Sequence, residues 1–287
     1  MIYIVLSICI NALIFVIFKL FSKYRVDTFQ AIVFNYIFAF IVALFQNTSD
    51  FSITDVPNKP WFFVILILGF LFITLFNVVA KTIQKMGFSV VAVSSKMSVI
   101  IPIIFGVIIY NEKTGTLKLI GILLALIAVF LSSVKKNNNF DKNYIYLPIL
   151  LFFGSGILDT LLKYFETNYV AKNELSLYTG SIFLVAGIIG FIVIIFKLIK
   201  KQTKLAVKNI VAGIVLGVPN YFSIYFLLKA LSINEMDSST VFTINNVGIV
   251  LLSTLVGLLL FKEKLSRLNY FGIIISIIAI LLITLSS

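Results

Sequence analysis

The 287-residue chain has no histidine and one cysteine, Cys9. A disulfide within the chain is therefore impossible, and a classical zinc site lacks its usual ligands. Acidic residues number only 11, and charged residues make up 12% of the chain. A soluble domain uses about 25% charged residues to face water, so this chain cannot build such a surface. There is no Gly-x-x-x-x-Gly-Lys-Ser/Thr loop, which excludes ATP as the driving force within this chain. No span carries a nucleophile with a base, an acidic cluster or a metal set, and an embedded enzyme would need one of these. The reading is a non-enzyme without cofactor or metal.

What the sequence does have is apolar bulk: 61% hydrophobic residues, including 29 Phe and 12 Tyr. A spanning helix needs about 20 mostly apolar residues. Ten runs meet that length, at 2–21, 28–46, 61–84, 88–110, 115–134, 145–166, 175–197, 208–231, 237–261 and 268–286. They are apolar on all sides, as helices in lipid are. The expected fold is an all-α membrane protein of ten transmembrane helices joined by short connectors. Met1 to Leu20 lacks a basic leader and a convincing cleavage site, so it reads as the first span. Pro102 and Pro219 lie inside runs four and eight, where proline frees a carbonyl and bends a helix.

The net charge of +12 resides mostly in the connectors. That pattern suits loops against anionic headgroups, not nucleic-acid binding. The bias of Lys and Arg among connectors favours both termini outside.

Two segments repeat one another. Ile108-Ile-Tyr-Asn-Glu-Lys-Thr-Gly-Thr-Leu-Lys-Leu-Ile-Gly121 aligns with Leu259-Leu-Phe-Lys-Glu-Lys-Leu-Ser-Arg-Leu-Asn-Tyr-Phe-Gly272. In this register Gly106, Glu112, Lys113, Leu117, Gly121 and Ala128 match Gly257, Glu263, Lys264, Leu268, Gly272 and Ala279. Five runs per copy is an odd number, so residues 138–287 would enter the membrane inverted relative to residues 1–137. Inverted repeats around a midplane site are a recurring plan of carriers that work by alternating access. Glu112 and Glu263, at the starts of helices five and ten, read as turn residues favoured by the helix dipole.

Two five-span halves, each closing with a helix, a Glu-bearing turn and a helix with an early Gly, resemble the drug/metabolite transporter superfamily in its EamA-type branch. The resemblance covers nearly the whole chain. It implies ten helices around a central cavity, both termini inside, and export or exchange of small metabolites, often amino acids.

Polar groups inside the apolar runs mark the candidate site, because a charge at mid-membrane costs roughly 2.5–3.5 kcal/mol on insertion scales. Lys96 sits about 12 Å into helix four at 1.5 Å per residue, within Ser94-Ser-Lys-Met-Ser98. Its counterpart patch is Thr243-Ile-Asn-Asn246 on helix nine. Lys96, Ser95, Asn245 and Asn246 are therefore candidate substrate-binding residues, joined by Asn11, Asn35, Asn77, Asn220 and Tyr225. An ammonium would take a carboxylate or phosphate, and the amides would read neutral polar groups. Asp159 and Lys163 share one helix face and are expected to pair or to act as coupling or gate groups. Lys19 and Lys81, near helix ends, are further gate candidates. With no histidine, a carboxylate such as Asp159 is the expected proton carrier.

The expected function is secondary active transport of a small polar metabolite across the plasma membrane, by efflux or exchange, with protons as an available coupling ion. The partners are the solute and the bilayer. The alternative is a channel or a non-transporting membrane subunit.

Overall fold

The computed structural model describes residues 1–46, 53–86, 94–109, 115–133, 144, 146–233, 236–261 and 266–285. Among them there is no β-strand. Ten α-helices follow in order: α1 Ile2–Lys23, α2 Thr28–Phe45, α3 Phe62–Met86, α4 Ile100–Ile109, α5 Thr116–Ser133, α6 Tyr146–Tyr169, α7 Leu175–Ile199, α8 Val207–Ser232, α9 Ser238–Phe261 and α10 Arg267–Leu285. Five are long and apolar enough to cross a membrane: α2, α3 through Val79, α6, α7 and α8. Five further apolar stretches are shorter, at Ile2–Phe18, Ser94–Ile109, Thr116–Ala128, Thr240–Leu252 and Tyr270–Ala279.

Burial is inverted relative to a protein in water. Phe63, Phe130, Phe196, Ile199, Leu259 and Leu281 are exposed, whereas Gln30, Asn35, Asn220, Asn245, Asn246 and Thr240 are buried. Apolar residues face outward because lipid solvates them. Polar groups turn inward because hydrocarbon offers them no hydrogen bonds.

One expected helix is broken. The fourth run was read as continuous over 88–110. Residues 87–93 lie outside the described part, 94–97 form a helical turn, and Ser98 and Val99 form a turn before α4. Pro102 is the cause: its ring clashes with the carbonyl four residues earlier, that of Ser98. The Ser98 hydroxyl donates to the Ser95 carbonyl at 2.7 Å, and the Ile101 N–H donates to the Ser98 carbonyl at 3.0 Å. α8, by contrast, continues through Pro219.

The chain forms two compact units. The first comprises Met1–Ala12, Val78–Thr160 and Ile233–Ser287, the second Leu13–Asn77 and Leu161–Ser232. Each draws on both predicted repeats. In the first, α5 packs along α10, and α9 touches α4, α5 and α10. In the second, α2 packs against α7 and α8, and α7 against α8.

Glycines set the helix directions. A methyl group at Gly180 would lie 2.5 Å from the Ala43 Cβ, and one at Gly190 would lie 2.6 Å from Val33 Cγ2. Thus α7 runs antiparallel to α2. Gly213 meets Phe34 at 2.4 Å and Gly217 meets Phe38 at 2.8 Å, so α8 runs parallel to α2. Without side chains at these points the backbones approach closely, the usual small-residue packing of membrane helices. In the first unit, a methyl group at Gly156 of α6 would lie 2.4 Å from Ile101 of α4, and one at Gly248 of α9 would lie 2.4 Å from Ile8 of α1.

The helix ends of the second unit are tied by polar contacts. Asp27 caps α2 by accepting from the Phe29 and Gln30 N–H groups, and its own N–H donates to Asn209 at 3.0 Å. The Lys59 ammonium donates to Glu174 at 2.6 Å.

Candidate functional site

In the first unit, the Pro102 break positions the polar patch before α4. Lys96 lies in the turn ahead of the break and is half-buried, and Ser94 and Ser98 beside it are buried. Gly156 lets α6 approach α4 closely. Asp159 follows Gly156 by one helical turn and so shares its face. Lys96 and Asp159 both belong to the first unit. Among the described residues neither forms a hydrogen bond or an ion pair. The neighbouring Thr160 hydroxyl is spent on the Gly156 carbonyl at 2.7 Å.

From α9, Asn246 donates to its own Phe242 carbonyl at 2.9 Å and lines a pocket with Thr243. The remaining walls are Val99, Ile103, Ile122, Ala125, Leu126 and Val247, around a cavity of about 10 Å³, room for about one water. The Asn245 amide oxygen is buried without a partner among the described residues. A buried polar atom left unpaired costs about 1–3 kcal/mol, a cost that a solute or water donor would relieve. Asn11 of α1 is held locally by Ser7, donating to its carbonyl at 2.9 Å.

Asn35, Asn77, Asn220, Tyr225 and Lys163 fall in the second unit. Asn35 and Asn220 are buried, with the Asn35 oxygen and the Asn220 nitrogen unpartnered among the described residues. Gly213, Gly217 and Asn220 occupy one face of α8, the face that meets Asn35 and its neighbours on α2. Beside them lies an aromatic cluster. Tyr36 stacks on Phe183 at 5.9 Å, and Phe72 meets Tyr36 and Phe183 edge-on. Tyr225 stacks on Tyr221 at 5.6 Å, and the Tyr221 hydroxyl bonds Ser176 at 2.7 Å. Amides beside aromatic faces suit solutes with hydroxyl groups and C–H surfaces.

Several expected roles are altered by the geometry. Lys163 does not pair with Asp159. Its ammonium donates to the Leu231 carbonyl at 2.9 Å and to Glu166 at 3.3 Å, because the last turn of α6 packs beside the end of α8. Lys81 is exposed and donates to the Tyr146 hydroxyl at 3.0 Å. Asn77 is exposed and donates to the Ile73 carbonyl at 2.7 Å. The Lys19 side chain, with Glu112 and Glu263, lies outside the described part.

The sequence reading passed over three ion-pair partners. Glu174 and Lys59 pair across 115 residues. Fully buried Lys118 of α5 pairs with Asp237 before α9. Glu166 holds Lys163. Each sits at a helix end, where a lone charge reads as solvated, and nothing local signals a distant partner.

A family model described as the EamA-like transporter family matches residues 1–134. A Haemophilus influenzae protein titled "Uncharacterized protein" is 31% identical, covering 96% of this chain and 95% of its own. The chain belongs to the EamA-like transporter family. It is thus a multi-pass membrane protein of a transporter family, as the Glu-turn-Gly resemblance implied. Among other relatives, a "Probable glucose uptake protein GlcU" of Priestia megaterium is 29% identical over 70% of both chains. The "Glucose uptake protein GlcU" of Bacillus subtilis is 26% identical, covering 70% of this chain and 69% of its own. A crystal structure superposes with a TM-score of 0.79 over 99% of this chain and 96% of that one, at 12% identity. At that identity it shows the fold alone.

Proposed function

We propose that this EamA-like protein is a secondary transporter of the plasma membrane. It moves a small neutral polar solute, of the sugar or polyol class, by alternating access between two inverted five-helix repeats, 1–137 and 138–287. Alternating access needs two halves able to exchange conformations. The observation that carries the reading is a set of helix contacts that exchange when the halves are exchanged. α2 and α7, the second helices of the two halves, pack antiparallel through Val33–Gly190 and Ala43–Gly180. Ile8 precedes Gly156 by 148 residues and Ile101 precedes Gly248 by 147, so contact Ile8–Gly248 becomes Gly156–Ile101 when the halves are exchanged. Antiparallel α2 and α7 are what an inverted pair requires.

Sugar recognition is supported by the amide and aromatic groups and by the glucose uptake named for two relatives. A second reading, exchange or efflux of an amino acid, is favoured by one observation: the first unit holds an ammonium, Lys96, and a carboxylate, Asp159, neither of them bonded to another described group, and a zwitterion would match both. Protons are the proposed coupling ion, with Asp159 as carrier.

The test is radiolabelled glucose uptake into proteoliposomes, with and without a pH gradient. A carrier saturates and shows counterflow when the vesicles are preloaded. Linear, non-exchanging flux would mean a channel. Competition by amino acids but not by sugars would replace the sugar reading with the second one.

A further inference from the structure

We infer that the two connectors at one end of the second unit form a single basic surface that holds anionic phospholipid headgroups, and that this end faces the cytoplasm. The inference goes beyond the carrier reading and does not depend on which solute is moved.

Helices α1 and α7 end, and α2 and α8 begin, at this surface. Hydrogen bonds fasten the two connectors together. Gln30 of α2 donates to the Thr203 hydroxyl at 2.7 Å and to the Lys204 carbonyl at 3.0 Å, and it accepts from Asn209 at 2.9 Å. The Lys208 ammonium donates to the Arg25 carbonyl at 2.8 Å. Lys23 and Arg25 thus share one surface with Lys200, Lys201, Lys204 and Lys208, and all six are exposed. The Lys197 ammonium lies 4.2 Å from the centre of the Phe29 ring. The one carboxylate within these connectors is Asp27, which is occupied in capping α2. At the opposite end of the unit the charges are answered: Lys59 and Lys163 are each bonded to a glutamate.

Two of the cations stand where glycine is the usual residue. Both α1 and α7 end in a Schellman turn. The Val26 N–H donates to the Phe21 carbonyl at 3.0 Å, and the Gln202 N–H to the Lys197 carbonyl at 2.9 Å. The residue before each donor is left-handed, Arg25 at φ 51° and Lys201 at φ 54°. Glycine adopts that conformation without strain, so local preference argues against a long side chain at both positions. A broken local rule of this kind points to a role outside the turn.

Apolar side chains alternate with the charges. Ile199, Leu205 and Val207 are 74%, 49% and 75% exposed beside Lys200, Lys204 and Lys208. A free phosphate has no use for them. A phospholipid matches both kinds of group, its phosphate against the ammonium groups and its acyl chains against the apolar ones. The surface flanks α2, α7 and α8, three helices long and apolar enough to cross a membrane, so it lies at headgroup depth. Clusters of Lys and Arg beside spanning helices bind the anionic lipids of the cytoplasmic leaflet and stay on that side. This orientation agrees with the bias of Lys and Arg among connectors and reverses the one implied by the family resemblance.

The first test is thermal melting of the purified full-length protein in detergent with added phosphatidylglycerol, phosphatidylcholine or inorganic phosphate. Phosphatidylglycerol alone is expected to stabilise the wild type. Each lysine at an anionic membrane surface contributes about fivefold to binding. The Lys200→Gln/Lys201→Gln/Lys204→Gln variant should therefore need at least about tenfold more phosphatidylglycerol for the same shift, and arginine at the three positions should restore the wild-type response. Equal stabilisation by phosphatidylcholine or by inorganic phosphate would overturn the inference. So would a triple variant that responds to phosphatidylglycerol as wild type does. If the triple variant fails to fold, Lys204→Gln carries the test with an expected shift of about fivefold. Orientation is read by labelling Gln202→Cys, combined with Cys9→Ser, with a membrane-impermeant maleimide. Inside-out vesicles should label and intact cells should not; labelling of intact cells would overturn the cytoplasmic assignment. No transported solute enters either test, so their outcome is separate from that of the sugar reading.

Discussion

Gly213→Ala probes the contact on which the α2–α8 geometry depends. A methyl group there would lie 2.4 Å from the Phe34 Cβ, 2.8 Å from the Ala31 carbonyl oxygen and 3.0 Å from the Asn35 N. Two of these are backbone atoms, so no flexible side chain can swing away and α2 itself must move. Overpacking of this kind costs typically about 1–3 kcal/mol. Alanine returns up to about 1 kcal/mol of helix propensity over glycine, so the net loss is roughly 0–2 kcal/mol. Leucine at the same position adds volume without more propensity, so Gly213→Leu should fall at the upper end of the packing cost or beyond. The control is Gly115→Ala, where an added methyl meets nothing within 4 Å; it should shift stability by no more than about 0.5 kcal/mol. The assay is thermal unfolding in detergent beside glucose counterflow in proteoliposomes. The expected order of melting is Gly115→Ala, then Gly213→Ala, then Gly213→Leu, with counterflow falling in parallel. If Gly213→Leu melts with Gly115→Ala, the close approach of α2 and α8 is refuted.

Lys96→Ala should abolish counterflow while membrane insertion and yield stay normal; full activity would remove Lys96 from the mechanism. Asp159→Asn should make uptake indifferent to an imposed pH gradient if Asp159 carries the proton, and an unchanged response would assign coupling elsewhere. Asp237→Asn should destabilise more than Lys118→Met by thermal melting. The first leaves the fully buried Lys118 ammonium unpaired, a loss of about 3–5 kcal/mol, whereas the second leaves Asp237, 42% exposed, with water as its partner. Ser176→Ala removes the hydroxyl that donates to the Ala43 carbonyl and bonds the Tyr221 hydroxyl; it should cost about 1–3 kcal/mol, visible as a lower melting temperature.

The family and the helical membrane character were legible in the sequence because both follow from composition and spacing. Hydrocarbon demands long apolar runs and internally satisfied backbones, so the runs stand out whatever the tertiary arrangement. The Glu-Lys and Gly matches were legible because they recur at one fixed separation along the chain. The burial of Asn245 and Asn246 was legible for the related reason that a polar residue within an apolar run must face protein.

Partnership was decided only by the tertiary structure. Asp159 and Lys163 share a helix face, and the local rule pairs them. Yet the end of α8 offers Lys163 a carbonyl and Glu166 offers it a carboxylate, which leaves Asp159 without Lys163. Lys59 with Glu174 and Lys118 with Asp237 meet because helices distant in sequence cross there. Pro102 announced a bend, but that it breaks the run at Ser98, with the Ser98 hydroxyl turned to the Ser95 carbonyl, emerged only once the chain was folded. Charge and apolarity are properties of single residues and are written in the chain. Which charge answers which depends on helix crossings, and these were set by glycines whose meaning appears only against the helix they touch.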